Sequence, residues 1–378
     1  MKSQVSNQLI RLERIAEEIR TLHQTPLQAI AVELEQTLAP LLHPIDNVEI
    51  SGPINRLADY LSELLAALPK TFGQRFGFDA ALTAAVMDEW NPKLNLRRLA
   101  LPVYDLHWGY RLLVMPPRNR ESTRVIDVFH FRGGETLEEV ELLDYPWLIH
   151  ELGHHLMHVH AEDFPEVFRP KLLAYLKDQR VLALADRARA RAKADSALNQ
   201  IEQFWIAGHD QRNWAHEIAF DILALWTCGP AFLNAFCATL EEGKPDPFIK
   251  RQDHPPYIVR SAALLYAGRQ LGLRRYQNGL TLIHDKYLQV VEEAGQKNEL
   301  LLFAPQELIR SCVDAAVLVA EKFELKKWRQ VDAEKFLLEP IFGVDLLNAA
   351  FEKRQASEAS YPEWERAVVS QLAGYVTL

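Results

Sequence analysis

Two histidines and a glutamate carry the clearest chemistry in the chain. They form an H-E-x-x-H as His150-Glu151-Leu152-Gly153-His154. On a helix, residues four apart share a face, one turn above the other, so these two imidazoles can bind one zinc ion. Glu151 stands next to the first histidine and can reach a water on that metal. It can then act as general base while zinc lowers the water's pKa. The bland alternative is a histidine-rich surface helix that matches by chance, so a third ligand has to come from elsewhere. Asn213-Trp214-Ala215-His216-Glu217-Ile218-Ala219-Phe220-Asp221 can supply it. Glu217 and Asp221 are again four apart. Glu217 can complete a His-His-Glu site and leave the fourth position to water. Asp221, one turn on, can accept the free ring N–H of a zinc histidine and so fix its tautomer. An E-x-x-x-D is most often a solvated pair. Here Trp214, Ile218, Phe220, Ile222 and Leu223 flank it, and carboxylates on so apolar a helix need a partner such as a metal.

A third stretch is Asp253-His254-Pro255-Pro256-Tyr257-Ile258-Val259-Arg260, a stiff turn ahead of the helix-like Ser261 to Gln270. His254 and Arg260 could each hold a substrate carbonyl or stabilise the charge of a tetrahedral intermediate. The alternative is an ordinary loop histidine and a surface arginine. His160 is a rival third ligand, because it stands at the end of H-E-x-x-H-x-x-x-x-x-H. That arrangement needs a glycine to turn the chain where Met157 stands, so His160 would stay on a helix running away from the metal. His155, His158 and His216 read as neighbours of the site and not as ligands.

These residues need elements to hold them. Asp144 can cap a helix that tolerates Pro146 in its first turn and places Trp147, Leu148, Leu152 and Leu156 at helical spacing. Before it, Leu99 to Tyr104, Tyr110 to Met115 and Val125 to Phe131 read as strands, with turns at Pro116-Pro117-Arg118-Asn119 and Arg132-Gly133-Gly134. They predict a small antiparallel sheet. It either supports the metal helix or binds an extended substrate as an added strand. Helices are expected over 8 to 40, 55 to 68 and Ala80 to Trp90, with loops around His43-Pro44 and Ser51-Gly52-Pro53. His23 and His43 read as surface or capping residues. After a linker at Asp163-Phe164-Pro165, residues 166 to 198 read as a long polar helix or a helix pair. Its Arg187, Arg189, Arg191 and Lys193 form a solvated charged face. The C-terminal part is mostly helical, with periodicity over Leu308 to Lys322 and Asp332 to Leu338, and it carries no chemical motif.

Composition narrows the class. Among 378 residues, 48% are hydrophobic and 25% charged, as in a soluble globular protein. A net charge of -9 argues against nucleic acid as the main partner, since phosphate binding needs a basic surface. Cys228, Cys237 and Cys312 are too few and too scattered for a disulfide framework or a cysteine metal site, and suggest a reducing compartment. The N-terminus has no apolar run of a secretory signal. Ile222 to Leu240 is uncharged and long enough for a membrane span, but Gly229-Pro230 interrupts it. Two buried helices joined by a turn fit better, so no membrane insertion is expected.

The order H-E-x-x-H, E-x-x-x-D, then H-P-P with a following arginine resembles the gluzincin metallopeptidases. Within them it is most like the group of the CaaX prenyl protease and the heat-shock membrane peptidases. The likeness covers about Pro102 to Arg260 and only its motifs. It implies that His150, His154 and Glu217 bind zinc, that Glu151 is the base and that Asp221 supports a ligand. It also implies that His254 and Arg260 assist at the transition state. Those relatives span membranes and this chain is not expected to, so membrane substrates and prenylated peptides do not carry over. The expected fold is α+β and predominantly α-helical. It has a helical region over 1-95, a zincin-like catalytic domain over 96-275 with a small antiparallel sheet, and a helical region over 276-378. The expected protein is a cytoplasmic zinc peptidase acting on a peptide or protein. The alternatives are a non-catalytic metal-binding regulator and a zinc isopeptidase or amidase.

Overall fold

A computed structural model of the chain describes residues 14–17, 32, 74–90, 99–105, 109–114, 125–132, 136–159, 170–178, 198–207, 213–249, 251, 254–293 and 303–375. Most of the helices expected before residue 70, the linker at Asp163, the arginine-rich run and His160 lie outside these residues. The described part is mostly helical. Close contacts divide the chain into two compact units. One comprises Met1–Ala84, Leu96–Val140 and Val369–Leu378; the other comprises Ala85–Asn95 and Glu141–Val368.

The first unit holds the three strands, β1 (Leu99–Asp105), β2 (Gly109–Val114) and β3 (Val125–Arg132). β-Branched and aromatic residues dominate β3, as suits a strand paired on both sides. Its place is between the other two, and here the expectation of an antiparallel sheet is corrected. β3 runs parallel to β1, from Leu99 opposite Ile126 to Asp105 opposite Arg132, and antiparallel to β2. Two outer strands that run opposite ways cannot both be antiparallel to the strand between them, so the sheet is mixed. Pro102 falls on the outer strand β1, where a missing N–H is tolerated. In the same unit Arg75 and Asp79 form a buried ion pair one helical turn apart, Nε to Oδ2 3.0 Å, on the helix α1 (Gln74–Trp90).

The second unit is helical. Two helices carry the motif residues, α2 (Pro146–Val159) and α3 (Trp214–Cys228). This unit also holds α4 (Pro230–Gly243), α5 (Tyr257–Gln270), α6 (Asn278–Glu293), α7 (Gln306–Lys322), the short α8 (Lys335–Leu338), α9 (Val344–Ala356) and the first half of α10 (Tyr361–Tyr375), whose residues from Val369 on belong to the first unit. α3 is the centre of this unit. Every residue from Trp214 to Cys228 is buried, and the helix packs against α2, α7 and α5. It begins where the Asn213 side chain accepts the His216 N–H, 3.0 Å, which satisfies one of its unpaired donors. A helix with apolar residues on every side is stable in water only if it is enclosed, and α3 is buried all round, its Glu217 and Asp221 included. No described helix is long and apolar enough to cross a membrane.

The expected break inside Ile222 to Leu240 is present. Gly229 ends α3 with φ of 51°, and Pro230 opens α4 at a position that needs no N–H. A segment after α7 closes over this turn. The Trp328 N–H donates to the Trp226 carbonyl at 2.7 Å, and a Cβ placed on Gly229 would stand 2.4 Å from the Trp328 ring. Trp90 donates its indole N–H to Thr227 Oγ1 at 3.0 Å. Gly229→Ala meets both a left-handed backbone and a closed space. It is expected to destabilise the protein by about 2–4 kcal/mol in chemical denaturation, read as a lower midpoint at unchanged slope.

Candidate metal centre

His150 and His154 stand one turn apart on α2, 4% and 6% exposed. Leu148, Ile149, Leu152 and Leu156 on the same helix are completely buried, so packing fixes the direction in which both imidazoles point. Gly153, between them, allows α3 to approach. A Cβ there would lie 2.6 Å from the Phe220 ring. Phe220 in turn lies against the His154 ring, centroids 4.3 Å apart, and edge-on to His150 at 5.8 Å. The glycine inside the H-E-x-x-H therefore lets the second helix approach closely enough to set a third polar side chain beside the two imidazoles.

That contribution is Glu217, which is completely buried. Its Oε2 is 3.4 Å from His150 Nε2 and its Oε1 is 3.5 Å from His154 Nε2. Neither carboxylate oxygen takes part in a hydrogen bond. A buried carboxylate without hydrogen bonds is costly unless a charge or a metal answers it. The spacing suits a metal. Two atoms each about 2.0–2.1 Å from a tetrahedral zinc are about 3.4 Å apart. Among the described residues, His150, His154 and Glu217 form the one group of His, Cys, Asp or Glu ligand atoms converging within 4.8 Å. All three were expected from the motifs. The donor set, two nitrogens and one carboxylate oxygen, fits a zinc ion with a position left open.

The electrostatics are those of a site arranged for a cation. Burial alone would raise the Glu217 carboxyl. The imidazoles of His154, His150 and His254 outweigh it and hold the group well below the usual carboxylate range. Burial alone would lower His150, but Asp221 and Glu217 beside it carry its pKa up to about 9. The three free cysteines take no part. Cys228 and Cys312 are buried, and Cys237 is partly so.

Asp221 occupies the place expected for it. His150 Nδ1 donates to Asp221 Oδ1 at 2.9 Å. A carboxylate can only accept, so Nδ1 carries the hydrogen and Nε2 is the atom presented to Glu217. Glu151, 7% exposed, has its Oε2 3.9 Å from His154 Nε2, at the edge of the ligand group. His254 is a rim residue. Its side chain is 39% exposed, and its Nε2 lies 3.7 Å from Glu217 Oε2. Nearby in sequence, the Arg251 carbonyl accepts the Trp214 indole N–H at 2.7 Å.

Arg260 is 5% exposed, and its Nε and Nη2 donate to Asp221 Oδ2 and Oδ1 at 2.7 and 2.6 Å. Burial would raise the Asp221 carboxyl, but this guanidinium overrides it and keeps the group ionised. Arg260 therefore holds the residue that orients His150. In Arg260→Leu the Asp221 charge stays buried with its main partner gone, which costs about 3–5 kcal/mol. Denaturation of the metal-free variant should show that loss. An arginine acting only at the transition state would leave stability unchanged.

Residues missed from the sequence are aromatic. Phe220 lies three residues after Glu217 and Trp147 three before His150. Each therefore shares a helical face with a residue of the converging group, and that spacing was the available signal. His155 is fully buried and His216 stacks on Phe220 at 6.4 Å, and neither joins the ligand group. The His158 side chain lies outside the described residues. No family model matches the chain, and no curated protein or solved structure does.

Proposed function

We propose that this protein is a zinc-dependent peptidase of gluzincin type, acting in the cytoplasm on a peptide or protein substrate. One observation carries the proposal. Glu217 is a fully buried carboxylate without a hydrogen bond, its oxygens 3.4 and 3.5 Å from two imidazole nitrogens, with a second glutamate, Glu151, next to them. His150, His154 and Glu217 would hold the ion. When bound, zinc supplies Lewis acidity, which lowers the pKa of a coordinated water and polarises a carbonyl.

The chain's own residues supply the rest. Asp221, held by Arg260, keeps Nδ1 of His150 protonated and Nε2 available. Glu151 accepts the proton of the attacking water and passes it to the leaving amine. His254, exposed at the rim, donates to the oxygen that gains charge. The α2 and α3 frame is a zincin-like core in this reading.

A non-catalytic metal-binding protein is the rival. A structural zinc is usually closed by a fourth protein ligand, and Glu151 would then have no task. An isopeptidase or amidase would use the same residues on a different amide. The test is digestion of a proteome-derived peptide mixture, read by mass spectrometry, with wild type and Glu151→Gln at matched zinc content. New peptides from wild type alone support the enzyme. Identical, uncut mixtures from both, at full zinc occupancy, favour the binder.

A further inference from the structure

We propose that Trp147, Phe236 and Tyr257 form an aromatic collar that positions His150 for its metal, acting through Arg260 and Asp221. The proposal rests on the metal-site reading above.

Three helices contribute one ring each, Trp147 from α2, Phe236 from α4 and Tyr257 from α5. All three face the same guanidinium. The Arg260 Cζ lies 5.5 Å from the Trp147 ring centroid, 5.3 Å from that of Phe236 and 5.5 Å from that of Tyr257. The rings also meet one another, Trp147 and Phe236 at 6.0 Å and Phe236 and Tyr257 at 6.1 Å. A delocalised, weakly hydrated guanidinium is the cation best suited to such a setting, because its faces can rest on rings while its edge donates. The edge here goes to both oxygens of Asp221.

The collar reaches the ligand by two routes. The first is polar. Asp221 Oδ1 accepts at once from Arg260 Nη2 at 2.6 Å and from His150 Nδ1 at 2.9 Å. Any tilt of the guanidinium therefore moves the oxygen that orients the imidazole. The second is direct. Trp147 packs edge-on against the His150 ring, centroids 5.4 Å apart at 71°. Its indole N–H donates to Thr239 Oγ1 at 3.2 Å, which anchors the ring to α4. Rings that exclude water from an ion pair also strengthen it, because screening falls with the local dielectric. Ordinary core packing does not require three rings around one cation, nor one of those rings against the imidazole that the cation orients.

Partners of this kind typically change metal affinity by about 10–100-fold. The test is the zinc dissociation constant, by competition with a chromophoric chelator, together with the His150 Nδ1–H proton resonance of the metal-free protein. Phe236→Leu keeps an apolar side chain and removes the π face. It should weaken zinc binding on the order of tenfold and shift or broaden that resonance. Phe351→Leu, a buried ring on α9 that faces Tyr276 at 5.8 Å and not Arg260, is the packing control. It should change neither readout.

Should Phe236→Leu fail to fold, the partly exposed Tyr257 gives a second pair. Tyr257→Phe, which keeps a π face, should bind zinc more tightly than Tyr257→Leu. Equal zinc binding by Phe236→Leu and wild type, or equal losses in Phe236→Leu and Phe351→Leu, overturns the collar. His150→Ala in the same titration separates the two levels. If it loses zinc while the collar variants do not, only the collar is wrong. If it binds zinc as wild type does, the metal site itself is wrong.

Discussion

Glu217→Ala should emerge from purification without zinc, while wild type carries one zinc per chain. Elemental analysis of the two, after matched dialysis, is the measurement. The expected loss is large because Glu217 supplies one of the three ligand atoms that converge, and neither His155 nor His216 belongs to that group. Outer partners of a metal ligand cost about 10–100-fold in affinity when removed, and a ligand itself costs more. His150→Ala should behave like Glu217→Ala. Glu217→Gln is the stricter test, because it keeps the side chain's length and loses only the charge. It should still fold around α3 and still bind zinc poorly. If Glu217→Ala retains its full zinc and His160→Ala loses it, the third ligand moves to His160.

Much of this centre was legible because its signals are local. The one-turn spacing of His150 and His154, and of Glu217 and Asp221, places each pair on a single helical face whatever the rest of the fold does. The apolar run around Glu217 predicts burial, and α3 is buried from end to end. The Gly229-Pro230 break could be read from conformational preference alone, and it separates α3 from α4. What could not be read depends on pairings between distant segments. The strands around Leu101, Leu112 and Val128 were identifiable by their residue types. Their order depends on β3 entering between β1 and β2, which no local pattern encodes. Arg260 follows His254 closely in sequence, which suggested a shared role. Its partner Asp221 lies 39 residues away, and only the packing of α5 on α3 brings the two together. The same holds for Phe236, whose position relative to Arg260 has no signature in the spacing of either residue. Trp328, which closes the turn at Gly229, is further from its target in sequence still.

Glu151→Gln should keep the fold and the zinc and lose nearly all hydrolysis. Glu151 is one of three buried carboxylates near the centre, and each has a different task. Asp221 is committed to Arg260 and His150, and Glu217 faces both imidazoles. Glu151 has its Oε2 3.9 Å from His154 Nε2, beside the converging group and not part of it, where a carboxylate can exchange a proton with a water held between the two imidazoles. Glutamine occupies nearly the same space and can still form hydrogen bonds, but it cannot accept the water's proton. Losing a general acid and base typically lowers turnover by about 10²–10⁴-fold. The comparison has to be made on a peptide that wild type cuts, with zinc measured in both samples, so that a lower rate is not a lower metal content. His254→Ala gives the complementary pattern. A donor to a developing oxyanion matters more in the transition state than in the bound substrate, so kcat should fall on the order of a hundredfold while KM changes little. If KM rises and kcat holds, His254 binds substrate and does not stabilise charge. If Glu151→Gln cuts the same peptide at an undiminished rate, Glu151 is not the base. The zinc would then serve a structure whose chemistry lies elsewhere in the chain.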